Sequence, residues 1–83
     1  MSYEKVKQAE SLTIGAKQAT KYVELGKADE VFVAKDADPR ITARMVSLCK
    51  KMGVRVTYVD SKKLLGKACG IEVSAAIAAI VNE

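Results

Sequence analysis

Apolar positions along this chain come in two rhythms, a helical spacing and short strand-like runs, and the two alternate from end to end. Residues 2 to 10 carry Tyr3, Val6 and Ala9 at helical spacing, which predicts a short amphipathic helix. Ser11 to Ile14 predict a brief strand. Gly15 then opens a helix through Leu25, with Ala16, Ala19, Tyr22 and Val23 inward, and Gly26 closes it. Val31-Phe32-Val33-Ala34 is an unbroken run of strand formers, which predicts a strand covered on both faces, as in a mostly parallel central sheet. Asp38-Pro39 starts the next helix, because Asp caps free N–H groups and Pro suits the first helical position. That helix points Ile41, Met45, Leu48, Cys49 and Met52 inward and Arg44, Ser47, Lys50 and Lys51 outward, and Gly53 ends it.

Val54 to Val59 alternate, with Val54, Val56 and Tyr58 on one face and Arg55 and Thr57 on the other, as expected of a strand with one less-buried side. Asp60-Ser61 cap a short helix running into Leu64-Leu65. The stretch Ser74 to Val81 is ambiguous: its alanines favour helix, while its shortness and its place after a turn favour a final strand. With that strand the order is α-β-α-β-α-β-α-β, which implies a layered α/β sandwich.

Composition narrows the class. Eighty-three residues, 49% of them hydrophobic, support one core and one domain over residues 1–83. Trp is absent and only 5% of residues are aromatic, so Val, Ile, Leu and Ala must fill the interior. The formal charge is +4, from 14 Lys plus Arg against 10 Asp plus Glu, which permits binding to a polyanion without requiring it. Histidine is absent, which removes the usual general base and every Ser/His or Cys/His pair, so no enzyme is expected. Cys49 and Cys69 lack C-x-x-C spacing and further ligands, so neither a metal nor a cofactor is expected, and both read as reduced thiols. The N-terminus has no apolar targeting core and the longest apolar run, Ala75 to Val81, is far short of a membrane span. A soluble cytoplasmic protein is expected.

Two constellations could carry function. In Gly15-Ala16-Lys17-Gln18-Ala19-Thr20-Lys21, the helix would project Lys17, Gln18 and Lys21 to one side of its first turn. Gly15 permits close approach of another backbone, and the helix start adds N–H donors suited to phosphate. Lys can donate to guanine O6 and N7, while Gln both donates and accepts. The plainer alternative is a solvated lysine face. The glycine also resembles a nucleotide-binding turn, but the remaining glycines of G-x-G-x-x-G and any G-K-[ST] are missing.

The second is Gly70-Ile71-Glu72-Val73. It reads either as a strand start with Ile71 and Val73 in the core, or as a loop exposing apolar residues that could cover an unstacked base. Lys62, Lys63 and Lys67 nearby would then meet phosphate, or else form a solvated helix face. Asp36 and Asp38 form a close carboxylate pair, and capping accounts for Asp38. Lys35 just before them could reach phosphate or merely leave the strand end solvated.

Together, Gly15-x-Lys17-Gln18-x-x-Lys21, Ala34-x-Asp36-Ala37-Asp38-Pro39 and Leu65-Gly66-Lys67-Ala68-Cys69-Gly70-Ile71-Glu72-Val73 resemble the L-seven-Ae ribosomal protein family, which includes the L-thirty-e and S-twelve-e groups. The three motifs span nearly the whole chain, and the short length is similar to that of small bacterial members. The resemblance implies a three-layer α/β/α sandwich around a four-stranded mixed sheet. It also implies non-enzymatic binding to a kink-turn, a sharply bent RNA duplex with a three-nucleotide bulge beside tandem sheared G·A pairs. Carried over, Lys17, Gln18 and Lys21 would contact the guanines in the major groove, with Gly15 allowing close approach, and the Ile71-Glu72-Val73 loop would cover the extruded nucleotide. The family usually has Asn where Lys17 stands and Glu where Gln18 stands, and both changes add positive character. No counterpart of the family's usual final helix is expected within these residues. A monomer on structured RNA, with or without the ribosome and away from membranes, is the expected state. The alternative is a protein-interaction module of the ribosome or another assembly, gripping its partner through the apolar loop.

Overall fold

A computed structural model describes residues 6–8 and 11–82. The elements follow the predicted order: β1 (Leu12–Ile14), α1 (Ala16–Glu24), β2 (Ala28–Ala34), α2 (Pro39–Met52), β3 (Arg55–Val59), α3 (Lys62–Ala68) and β4 (Ile77–Val81), with residues 6–8 also helical. Tyr3 and Ala9 of the first predicted helix lie outside the described residues, while Val6 is buried.

The four strands form one mixed sheet in the order β1-β4-β2-β3. Strand β4 runs antiparallel to both β1 and β2, and only β2 and β3 are parallel. The expectation of a mostly parallel sheet is therefore corrected. A run buried on both faces, as Val31 to Ala34 is, reports a central position in the sheet and says nothing of its neighbours' direction.

Side-chain alternation divides the interior into two cores, one on each face of the sheet. Val31, Val33, Ile77, Ala79 and Val81 pack against Ala19 and Val23 of α1 and Met45 and Cys49 of α2. Phe32, Ala34, Val59 and Ala78 face the other way, against Leu65 of α3 and Val6. This is the expected three-layer α/β/α sandwich. Ambiguity in the alanine-rich tail is settled by position. Between β1 and β2, Ala78 and Ala79 are fully buried and their backbone groups pair on both sides, which outweighs alanine's helix preference.

Three residues predicted to point inward are exposed: Ile41, Met52 and Tyr58. Ile41 and Met52 lie near opposite ends of the fourteen-residue α2, while the buried Met45 and Cys49 sit between them. Tyr58 lies on β3, an edge strand whose buried residue is Val59 instead. Strand β2 begins at Ala28, earlier than predicted, and buries Glu30, which accepts a hydrogen bond from the Thr57 hydroxyl across the β2–β3 pair. Among the described residues no helix is long and apolar enough to cross a membrane.

The helix starts behave as their residues dictate. Asp38 accepts from the Arg40 N–H at 2.9 Å with Pro39 in the first turn, and Ser61 accepts from the Leu64 N–H at 3.0 Å. Ser61→Ala should cost about 1 kcal/mol of folding stability, the usual loss for a missing cap. Denaturant unfolding reads this directly, and an unchanged midpoint would refute it.

Candidate nucleic-acid interface

Sheet register brings both predicted constellations to one end of the molecule. Ile14 pairs with Ala78, Val33 with Ile77 and Ala34 with Val59, so β1, β2 and β3 finish where β4 begins. Helices α1, α2 and α3 each follow one of those strand ends, and all three start there. The 69–76 connection returns to the same place to enter β4.

Gly15 makes the turn from β1 into α1 with φ near 101°, a conformation that a side chain would strain. Its N–H donates to the Ile77 carbonyl at 2.8 Å, which fixes the start of α1 against the start of β4. Helix α1 has neither a side-chain cap nor an acidic residue in its first turn. Its leading amides keep their positive character, in contrast to the capped starts of α2 and α3. Lys17, Gln18 and Lys21 are exposed beside them, while Ala19 and Val23 hold the opposite face in the core.

Gly70 to Val73 form a loop, and the strand reading of this motif is excluded because β4 begins only at Ile77. Gly70 and Ile71 donate their N–H groups to Lys67 and Gly66 as the chain leaves α3. Glu72 is exposed and Val73 is 69% exposed. Ile71 departs from the expected fully exposed loop: it is half-buried and packs against the Phe32–Leu65 core, tethering the loop while Val73 projects.

Beyond Val73 the chain runs back along α3. Gly66 makes this possible, because a Cβ there would overlap the Val73 carbonyl oxygen. The Ala75 N–H then donates to the Lys62 carbonyl at 2.9 Å, and the Ala34 N–H to the Ala76 carbonyl at 2.9 Å. Asp36 accepts from the Lys62 N–H at 2.8 Å. Each member of the carboxylate pair thus secures a helix start, Asp38 that of α2 and Asp36 that of α3. Among the described residues no cluster of His, Cys, Asp or Glu could hold a metal ion. Lys35 is exposed in the same region, with its N–H bonded to the Val59 carbonyl.

Two ionisation states bear on the site. The Arg40 guanidinium and backbone N–H hold the Asp38 carboxyl below its ordinary value, so Asp38 is charged at neutral pH. A depressed native value favours the folded state above the ordinary carboxylate range, and that advantage fades as pH falls through the lowered value. The Asp38–Arg40 bonds should therefore persist from neutral pH down through pH ~4 and weaken only in stronger acid. An acid titration followed by Asp38 carboxyl NMR shifts checks this, and a midpoint above the ordinary aspartate value would contradict it. Burial pushes the Cys69 thiol up, so the cysteine next to the loop is no ready thiolate.

Sequence reasoning overlooks the far side of this surface. A groove of about 990 Å³ runs between α1 and α2, with Lys17, Gln18 and Lys21 on one wall and Arg40, Ile41 and Arg44 on the other. Helical spacing alone assigns Arg44 to solvent and Ile41 to the core. The available signal is the i, i+4 spacing of Arg40 and Arg44 at the start of a helix that begins beside α1.

The fold and this surface agree with what the sequence comparison shows: the chain belongs to the Ribosomal protein L7Ae/L30e/S12e/Gadd45 family, whose profile matches residues 2–83. It is 53% identical over 81 residues to an RNA-binding protein of Bacillus pumilus, covering 98% of this chain and 99% of that one. It is 49% identical over 82 residues to the RNA-binding protein YbxF of Geobacillus stearothermophilus, covering 99% and 100% of the two chains. Among solved structures, the Giardia lamblia 15.5kD RNA binding protein is similar with a TM-score of 0.92 and 34% identity, over 99% of this chain and 72% of that one.

Proposed function

We propose that this protein binds RNA and selects kink-turns, through the start of α1 and the 70–73 loop acting as one surface. The observation that carries this reading is their adjacency: Gly15 bonds to Ile77 at the mouth of the strand into which the loop feeds. Family membership and relatives named for binding RNA, not for a reaction, support a non-enzymatic role. Lys17, Gln18 and Lys21 contact the guanines of the sheared pairs, with Gly15 keeping the backbone low enough for approach. Val73 and Glu72 cover the extruded nucleotide, and Ile71 anchors the loop that presents them. Lys35, Lys62, Lys63 and Lys67 supply attraction to phosphate without reading sequence. The protein acts as a monomer in the cytoplasm, with residues 1–83 as a single binding domain.

The mechanism is conformer selection. Free RNA exchanges between extended and kinked forms, and a protein that binds only the kinked form shifts the population by its differential affinity. Gel-shift titration of a kink-turn RNA against the same RNA lacking the G·A pairs tests this. Tighter binding to the intact motif is expected, and equal affinity would reduce the interaction to charge attraction. Lys62→Gln or Lys63→Gln should weaken both complexes alike and lower the salt slope by about one unit for each phosphate no longer neutralised. A loss confined to the intact motif would give those lysines a reading role instead.

A further inference from the structure

We propose that the α1–α2 groove holds one sugar-phosphate strand of the RNA stem that continues past the bound motif, with Arg40 and Arg44 as its phosphate ligands. This rests on the RNA reading above and carries the interface onto a second helix, beyond the Asp38-Pro39 start where the sequence motif ends.

The groove opens at the end of the sheet where α1 and α2 both begin, and it shares Lys17, Gln18 and Lys21 with the surface already described. A strand leaving those residues therefore has a continuous path across α2. Arg40 and Arg44 are one turn apart on the facing wall, so their guanidinium groups line up along the groove. The planar guanidinium fork matches phosphate oxygens in a bidentate manner.

Charge favours this occupant. Four cations line the groove, Lys17, Lys21, Arg40 and Arg44, against two carboxylates, Asp38 and Glu24. Asp38 is already engaged: Arg40 Nη2 donates to its Oδ2 at 3.1 Å and Arg40 Nε to its Oδ1 at 3.3 Å. That contact orients the Arg40 side chain, which is still 90% exposed and keeps N–H groups for a ligand. Glu24 is the last residue of α1, at the end away from the shared surface. Among the described residues Arg44 makes no salt bridge. Ile41 is 39% exposed between the two arginines and offers an apolar contact to a sugar.

The test uses the full chain and a kink-turn RNA with two long stems, together with versions in which each stem is trimmed in turn. Wild type, R44Q, R40Q/R44Q and the charge-matched control K51Q, which lies in the last turn of α2 and outside the groove, are titrated at low and moderate salt. Each phosphate released should remove about 0.9 from the salt slope, so a rise from about 50 to about 200 mM salt should cost R44Q roughly 3.5-fold less affinity than it costs wild type. R40Q/R44Q should bind the long-stem RNA no better than wild type binds the RNA trimmed on the engaged side. K51Q should keep the wild-type slope; R44Q and K51Q should keep the wild-type unfolding midpoint, and R40Q/R44Q should lose only the small share that the exposed Asp38–Arg40 pair contributes.

Wild-type affinity and slope in R40Q/R44Q would overturn the proposal and leave the groove to a protein partner. An equal loss on all three RNAs, or a slope change in K51Q as large as in R44Q, would also overturn it, because the arginines would then act only as net charge. Failure of the underlying reading is separately visible, since it appears in wild type alone as equal affinity for motif and control RNAs.

Discussion

Lys21→Ala is expected to weaken binding to a kink-turn RNA by about 1–3 kcal/mol while barely changing affinity for the same duplex without its G·A pairs. Lys21 is exposed, on the same face of α1 as Lys17 and one turn further along, and takes no part in the core. Alanine is at least as good a helix former as lysine, so the variant should unfold at the wild-type denaturant midpoint or slightly above it. Any drop in binding then belongs to the interface and not to the fold. Gln18→Ala should behave in the same way, because it too is exposed beside uncapped amides and can both donate and accept toward a base edge. Comparing the two RNAs decides the role. A drop of equal size on both would make Lys21 a phosphate ligand, and no drop on either would remove it from the interface.

Gly66→Ala is expected to destabilise the protein by about 1–3 kcal/mol, the range for forcing atoms into a packed site. The sign is the informative part. Replacing glycine by alanine inside a helix ordinarily stabilises by roughly 0.5–1 kcal/mol. Here the added Cβ would overlap the Val73 carbonyl oxygen and come within 3.1 Å of the Ser74 Cα. Those are backbone atoms and cannot rotate aside, so the 73–76 segment must lift from α3. The Lys62–Ala75 hydrogen bond lies on that segment, and Val73 and Glu72 stand at its head. Kink-turn affinity should therefore fall further than stability alone explains, whereas Lys21→Ala lowers affinity at unchanged stability. Equilibrium unfolding and RNA titration on the same preparation separate the two effects. A G66A protein as stable as wild type would show that the loop does not need this close approach.

Much of this architecture could be read from the chain because its local signals agree with its burial. The Asp38-Pro39 start and Gly53 stop of α2 each rest on a single residue's backbone chemistry, and Gly53 does close the helix in the left-handed conformation. The inward pairs Ala19/Val23 and Met45/Cys49 are helical spacings that tertiary packing had only to accept. Candidate residues at the start of α1 were visible for the same reason: they lie within one turn of a single helix. Other features had no local signature. Strand direction depends on which neighbours a buried strand acquires, so the antiparallel insertion of β4 between β1 and β2 could not follow from the apolar run in β2. The exposure of Ile41 and Tyr58 depends on where the elements beneath them end.

By itself, the sequence determined the helices and strands up to α3 to within a few residues, and which residues at the start of α1 and in the 70–73 segment are candidates for function, while the type of the alanine-rich tail was left to its place in the sheet. Those properties arise from backbone preferences and side-chain spacing within a few residues. Only the tertiary structure decided that the two segments share one sheet end, that Gly66 makes room for a backbone crossing and that Arg40 and Arg44 face Lys17 and Lys21 across a groove. These are contacts between residues distant in sequence, and the register of the strands sets them.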